Sequence, residues 1–216
     1  MGIEPGRSRA DQAHESNGAT VPGQDRYSVE YQIGRNWRFN INAFKFLAVF
    51  NGEPLDNWES FARRKRVFEG GSSGYLKGNI NPEQFADVAT WNTEAALRTG
   101  CSSKAEYYAR VAEASFENAR QSIEKSRPKL IIGTGTSFRN QFLDIVGGED
   151  LGEAHKWKSG NSDRNKTLYF TKSGVVPLAV IPHLSGQGAS VLKYDDDGIA
   201  HAANFVRQAM QQNPSK

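Results

Sequence analysis

A histidine, a serine and a glycine follow an apolar run near the end of the chain. Residues 175–181 have the composition of a buried strand, and Pro182 ends it because proline cannot donate to a sheet ladder. His183 then lies at the carboxyl end of a strand, the edge at which open α/β sheets bind ligands. We therefore predict a site at His183, Ser185 and Gly186. The alternative is a surface or structural histidine.

A second candidate stretch opens the chain. It is a glycine and proline turn with a carboxylate at its centre, formed by Gly2, Ile3, Glu4, Pro5 and Gly6. Glycines beside a proline allow the backbone to pass close to a ligand. The residues that follow, Arg7–Tyr27, are polar and without period, so we predict a mobile loop within residues 7–35 that contacts substrate.

Two polar stretches in the first half of the chain each allow two interpretations. Residues 75–82 resemble a short strand ending in a polar turn, where Asn79 either faces a ligand or only closes the turn. Residues 63–66 are four consecutive basic residues at the end of a predicted helix. They are either a solvated helix end, favoured by the helix dipole, or a phosphate contact.

Composition restricts the class of protein. The chain has 216 residues, of which 38% are hydrophobic and 24% charged, as in an ordinary globular protein with a sizeable core. It has no apolar run long enough to span a bilayer and no secretory signal pattern, so we expect an intracellular, cytoplasmic protein without a membrane partner. The single cysteine, Cys101, cannot by itself hold a structural zinc or an iron–sulfur cluster, and we expect no cofactor.

Helical and strand patterns alternate along the chain. Apolar spacing predicts helices over residues 36–51, from Pro54 onward, and over 197–211, and a capping box at Ser103 and Glu106 predicts a long helix that ends before residue 128. Residues 129–132 form a predicted strand, and residues 168–170 are expected to pair with the strand at 175–181 as a hairpin. This order predicts an α/β fold with a central, mainly parallel sheet of four to five strands.

Two separated motifs give the chain a resemblance to the uracil-DNA glycosylase superfamily. In that family the first strand ends in a Gly-x-[Asp/Asn/Glu]-Pro-[Gly/Tyr]-like loop, similar to Gly2–Gly6, and the last strand ends in a His-Pro-Ser-like loop, similar to His183–Gly186. Residues 128–135 look like the family's strand-turn-helix segment. The lone cysteine excludes the iron–sulfur branches. The resemblance implies one three-layer α/β/α domain over residues 1–216, N-terminally incomplete and without the family's first strand.

The resemblance also implies a function and roles for the candidate residues. A glycosylase of this kind flips a deaminated or damaged base out of DNA and hydrolyses its bond to the sugar. His183 would stabilise the departing base, Glu4 would act on the attacking water, and Asn79 would bind the base. Contacts with substrate or DNA would come from Gly2, Ile3, Pro5, Gly6, Ser185 and Gly186. The implied partner is DNA, and the implied state is a monomer.

Two alternatives remain at this stage. One is a nucleic-acid-binding relative of the same fold that has lost catalysis. The other is an unrelated α/β hydrolase or nucleotide-binding enzyme. The glycine turn at residues 133–136 lacks both the lysine of a P-loop and the third glycine of a dinucleotide fingerprint, so we predict a structural turn there.

Overall fold

The computed structural model of the chain describes residues 28–69, 72, 74–80, 91–158, 165–185 and 195–212. These residues belong to two compact units. The smaller unit contains the described residues 78–80 and 91–128, and the larger unit contains the remaining described residues. The single domain expected over residues 1–216 stays a prediction.

The described elements are numbered here in chain order. The helices are α1 (Val29–Gly34), α2 (Arg38–Phe50), α3 (Trp58–Lys65), α4 (Thr93–Thr99), α5 (Lys104–Ser126), α6 (Arg139–Ile145) and α7 (Asp196–Gln211), with 3-10 turns at Leu55–Asn57 and Thr136–Phe138. The strands are β1 (Ile131–Thr134), β2 (His155–Trp157), β3 (Lys166–Thr171) and β4 (Leu178–Ile181).

The described strands form one mixed four-stranded sheet with the order β1-β4-β3-β2. Strands β1 and β4 are parallel, whereas β4 with β3 and β3 with β2 are antiparallel. The prediction of an α/β fold is confirmed. The expected mainly parallel arrangement is not found among the described strands, because the chain turns back directly after β3. The hairpin predicted between residues 168–170 and the following strand is confirmed, and it makes that pairing antiparallel.

The core of the larger unit lies between β4 and a pair of helices. Strand β4 is buried at every residue. Its Ala179 and Ile181 belong to a buried cluster with residues of α2 and α7, including Leu47 and Ile199. Side chains alternate along a strand, so Leu178 and Val180 face the opposite side of the sheet, where α6 contacts β4. This burial fixes the direction in which β4 delivers the residues that follow it.

Several local predictions are corrected. Within the loop expected over residues 7–35, residues 29–34 form α1, because the Ser28 side chain accepts the amide of Tyr31 as an N-cap and Val29 is buried. Residues 75–78 are not in a strand. The strand expected to begin at Val175 begins at Leu178 instead, and Val175 is 71% exposed.

The smaller unit contains α4 and α5. Its helix α5 begins as predicted: the Ser103 hydroxyl accepts the Glu106 amide at 3.1 Å. The reciprocal half of the capping box differs, because the Glu106 carboxylate accepts the amide of Ser102. Cys101 is buried beside Ala95 and Tyr107. Among the helices in the described part of the chain, none is long and apolar enough to cross a membrane.

Candidate functional site

The site is built on His183, which follows the buried strand β4. By the parallel register, Ile181 and Thr134 lie beside each other where β4 and β1 end. His183 is two residues further along and is half-buried, so the protein covers the residue only in part. The predicted position of this histidine at the carboxyl end of a strand is confirmed.

Ser185 fixes the proton of the His183 ring. The Ser185 amide donates to His183 Nδ1 at 3.3 Å, and the Ser185 hydroxyl lies 2.6 Å from the same nitrogen. A nitrogen that accepts an N–H bond carries no proton, so the neutral ring must carry its proton on Nε2. His183 therefore presents an Nε2–H donor on the side of the ring away from Ser185.

The surroundings of His183 also disfavour its cationic form. Burial lowers the pKa of His183 below its ordinary value of 6.5. Protonation of Nδ1 would in addition place two N–H groups, those of Nδ1 and the Ser185 amide, against each other. The imidazole is consequently neutral at pH 7, and it acts as a hydrogen-bond donor rather than as a positive charge.

The loop that carries His183 is anchored at the next residue. Leu184 is only 3% exposed and belongs to the main core cluster. Its carbonyl oxygen accepts a hydrogen bond from Asn42 Nδ2 at 2.6 Å, and Asn42 lies on α2. A buried carbonyl without a donor would be costly, so Asn42 holds this loop while the Leu184 side chain is buried beneath it.

An aromatic ring lies beside the histidine, and a lysine amine lies near the same ring. The Phe39 ring centroid is 5.5 Å from that of His183. Lys77 Nζ lies 5.6 Å from the Phe39 centroid and 5.9 Å from that of Phe68. Lys77 Nζ also donates to Asn40 Oδ1 at 3.0 Å. The site thus combines a donor, an apolar ring and an amine within the larger unit.

A second hydrogen bond, to Gln32, fixes the orientation of the Asn40 side chain. Its Nδ2 donates to Gln32 Oε1 at 2.8 Å, and both side chains are almost fully buried, with 2% and 1% exposed. Because the amide nitrogen is used toward Gln32, the amide oxygen must face Lys77. Helices α1 and α2 therefore fix the acceptor that holds the lysine.

Desolvation acts on Lys77 as well. The residue is exposed, yet its ammonium is crowded by protein atoms, and this burial lowers the pKa of Lys77. Among the described residues, no carboxylate forms an ion pair with it. Lys45, which lies on α2, differs, because its Nζ is 2.6 Å from the Asp196 carboxylate.

Comparison of the chain with protein-family models, with curated proteins and with solved structures found no match. The site is therefore interpreted from its own geometry and from the motifs of the sequence.

The other predicted site residues are placed as follows. Asn79 belongs to the smaller unit, is exposed and forms an isolated bridge. The turn from Gly2 to Gly6, including Glu4, and the predicted loop residue Gly186 lie outside the described residues. Of the predicted set, the structure brings together His183 and Ser185. The roles of Asn79 and Glu4 stay predictions.

The basic run at the end of α3 is paired with acidic residues of the same chain. Arg63 bonds to Glu30 and Glu59, Arg64 to Glu53, and Arg66 to Glu69. These pairs satisfy three of the four basic side chains without a phosphate. The structure favours the interpretation of this run as a solvated helix end.

The described part of the chain contains no preformed metal centre. No group of three or more histidine, cysteine, aspartate or glutamate side chains is arranged there to hold a metal ion. The residues that carry the site's chemistry are a neutral imidazole, amides and an amine, and these groups suit hydrogen bonding and nucleophilic attack.

Sequence patterns pointed to His183 and Ser185 but missed Phe39, Asn40, Asn42 and Lys77. One signal was present. Asn40 and Asn42 lie within a mainly apolar helix, and asparagine is uncommon inside a core helix unless its amide has a partner. The partners themselves, Lys77 and the Leu184 carbonyl, are 37 and 142 residues away in the chain.

A second histidine pair joins β2 to α7. The Nε2 atoms of His155 and His201 are 2.9 Å apart, and the His155 ring stacks on Phe205 with a centroid separation of 4.0 Å. One nitrogen must donate and the other accept, so the pair tolerates one shared proton but not a proton on both facing nitrogens. Burial, and then the charge of His201, lower the pKa of His155.

We expect acid to weaken the fold through this pair. A histidine whose folded pKa is depressed binds more protons when unfolded, so its stabilising effect is complete above pH 6.5 and is lost as pH falls through the folded pKa. Urea unfolding at pH 7.5 and pH 5.5 should show a smaller loss of stability for His155→Gln than for the wild type. The variant should keep a remaining loss, since the pKa of His183 is also depressed. An equal loss in both proteins would contradict the role of the pair.

Proposed function

We propose that the protein is a DNA glycosylase that hydrolyses the bond between a deaminated or damaged base and its sugar. The observation that carries the proposal is the state of His183: a neutral ring at a strand end, with Nδ1 occupied by Ser185 and Nε2–H directed away from it. Base excision leaves negative charge on the departing base, and a prepositioned donor in a partly dry site stabilises that charge. The sequence resemblance supports the same assignment.

The remaining parts of the site fit a flipped base. Phe39 offers an apolar ring beside His183, on which a planar base can stack. The proposed roles of Glu4 on the water and Asn79 on the base are kept as part of the proposal. So is the finer architecture, a three-layer α/β/α domain.

We propose a monomer that acts in the cytoplasm and takes DNA as its partner. The paired arginines of α3 are unsuited to be the main phosphate contact, so phosphate binding would depend on other basic residues and on backbone amides of the histidine loop.

A cleavage screen tests the proposed function. Oligonucleotides that contain a single uracil, hypoxanthine or thymine mismatch are incubated with the protein and then heated in alkali, which cuts the strand at an abasic site. We expect cleavage at the altered base with the wild type and much less with His183→Ala. DNA binding without release of any tested base would instead support the catalytically inactive relative.

A further inference from the structure

Lys77 is the strongest nucleophile candidate in the described part of the site, and base release by the proposed mechanism does not use it. Its amine lies against the same Phe39 ring that contacts His183. A lysine that only supported the fold would be expected to pair with a carboxylate or to extend into solvent. Lys77 pairs with no carboxylate among the described residues. Although the residue is exposed, its Nζ is held by the Asn40 amide oxygen near two aromatic rings and does not extend freely into solvent.

We propose that Lys77 forms a Schiff base with an aldehyde carbon, and that this aldehyde is the ring-opened sugar of an abasic site in DNA. The identity of the aldehyde rests on the proposed function, since base excision would create that sugar beside His183. The presence of a reactive amine rests only on the surroundings of Lys77.

The chemistry balances without a cofactor. The lone pair of neutral Nζ forms a bond to the aldehyde carbon, and the carbonyl π electrons move to oxygen, which takes up a proton. The resulting carbinolamine loses water, and a C=N bond forms between Nζ and the sugar carbon. No oxidant or reductant is needed.

The surroundings supply what the attack requires. A lysine attacks only in its neutral form, and crowding of the ammonium by protein lowers the pKa of Lys77. The two rings attract the ammonium and so oppose this effect. No carboxylate among the described residues pairs with Lys77, so the ammonium lacks the partner that would oppose desolvation most strongly.

Two other lysines show why the assignment falls on Lys77. Lys45 is paired with Asp196 at 2.6 Å, so its amine is already bound by a carboxylate. Lys166 has a side chain only 1% exposed, with Asp195 at 3.9 Å, so a sugar cannot reach its amine. Lys77 alone of these three combines an accessible side chain with a desolvated amine.

Borohydride trapping tests the proposal directly. The full-length protein is mixed with an oligonucleotide that already contains an abasic site, and sodium cyanoborohydride reduces any C=N bond to a stable amine. We expect a covalent protein–DNA adduct whose mass and peptide map place the sugar on Lys77. The yield should rise with pH, because only the neutral amine attacks and burial lowers the pKa of Lys77.

Lys77→Arg tests whether the primary amine itself, and not only a positive charge at this position, is needed for the adduct. In Lys77→Arg the guanidinium can still bond to Asn40 and lie over Phe39, but it cannot form the Schiff base. We expect the adduct to fall at least about tenfold while affinity for the abasic oligonucleotide is retained. Lys45→Arg, the matched control on α2, should leave the adduct unchanged. If Lys77→Arg misfolds, the peptide map of the wild-type adduct still decides the assignment.

The outcomes for this proposal and for the proposed function are distinct, because trapping starts from a preformed abasic site. A protein that releases no base but is trapped through Lys77 would overturn the glycosylase function and keep the Schiff base. A protein that releases a base but gives no adduct, or an adduct at another amine such as that of Met1, would overturn the role of Lys77.

Discussion

Replacing His183 by alanine should lower the rate of base release by about 10²–10³-fold, the effect of removing one prepositioned donor from a developing anion. Affinity for DNA should change little, because the bond to the base strengthens mainly as the negative charge develops. His183→Gln should lose less, since its amide nitrogen can still donate. Single-turnover release of the best base from the screen, with DNA affinity measured in parallel, gives both quantities.

The pH profile gives an independent check on the same role. The working form is the neutral ring, and burial lowers the pKa of His183 below 6.5. The contribution of His183 to the rate should therefore be constant from pH 8 through 6.5 and should decline only when more acidic conditions protonate the ring. A rate that rises as pH falls through 6.5 would instead indicate an imidazolium.

His201→Gln is the matched control for this experiment. It also removes an imidazole, but one that lies on α7 and bonds to His155 rather than to the His183 loop. It should keep wild-type turnover at pH 7.5. Full activity of His183→Ala beside full activity of this control would refute the assignment of the site.

Much of the local structure followed from the sequence. The apolar spacing of α2 and α7 and the cap at Ser103 are local signals, and each helix lies close to its predicted bounds. The position of His183 also followed, because an apolar run that ends at proline is sufficient to predict a strand end. These features depend on neighbours within a few residues.

Strand β2 and the second half of the site could not be predicted, for different reasons. Strand β2 has only three residues, too few to show a period, and its antiparallel pairing with β3 changes the character of the sheet. Lys77 and Asn40 meet only after α1 and α2 have packed. The pattern of residue types along the chain therefore does not predict the contact between Lys77 and Asn40.

In the glycine turn at residues 133–136, the role of one glycine also depends on a contact that the sequence does not reveal. Its glycines suggested a phosphate loop as one interpretation and a structural turn as the preferred one, and the predicted strand-to-helix turn is confirmed by β1, the 3-10 turn and α6. Gly133 lies inside β1 and not in the turn. Its missing side chain serves packing, because the Phe142 ring occupies the space where a Cβ would be.

Gly133→Ala should therefore destabilise the larger unit by about 1–3 kcal/mol, as overpacking does in a close-packed core. An added Cβ would lie 2.6 Å from two atoms of the Phe142 ring, and Phe142 is only 1% exposed, so the ring has no solvent-filled space into which it can move. Urea unfolding followed by circular dichroism measures the loss. The control is Gly34→Ala, where an added Cβ meets no atom within 4 Å, and it should cost about 0.5 kcal/mol or less.

The double variant tests whether this one contact is the cause. Phe142→Ala alone should cost about 3–5 kcal/mol, because it leaves a cavity in the core. In the combined variant the new methyl group enters space that the ring has vacated, so the clash disappears and part of the cavity is filled. The double variant should be more stable than the sum of the single losses predicts, by about 0.5–3 kcal/mol. Strict additivity would mean that Gly133→Ala acts on β1 through some other contact, and the close approach of β1 and α6 would no longer explain the glycine.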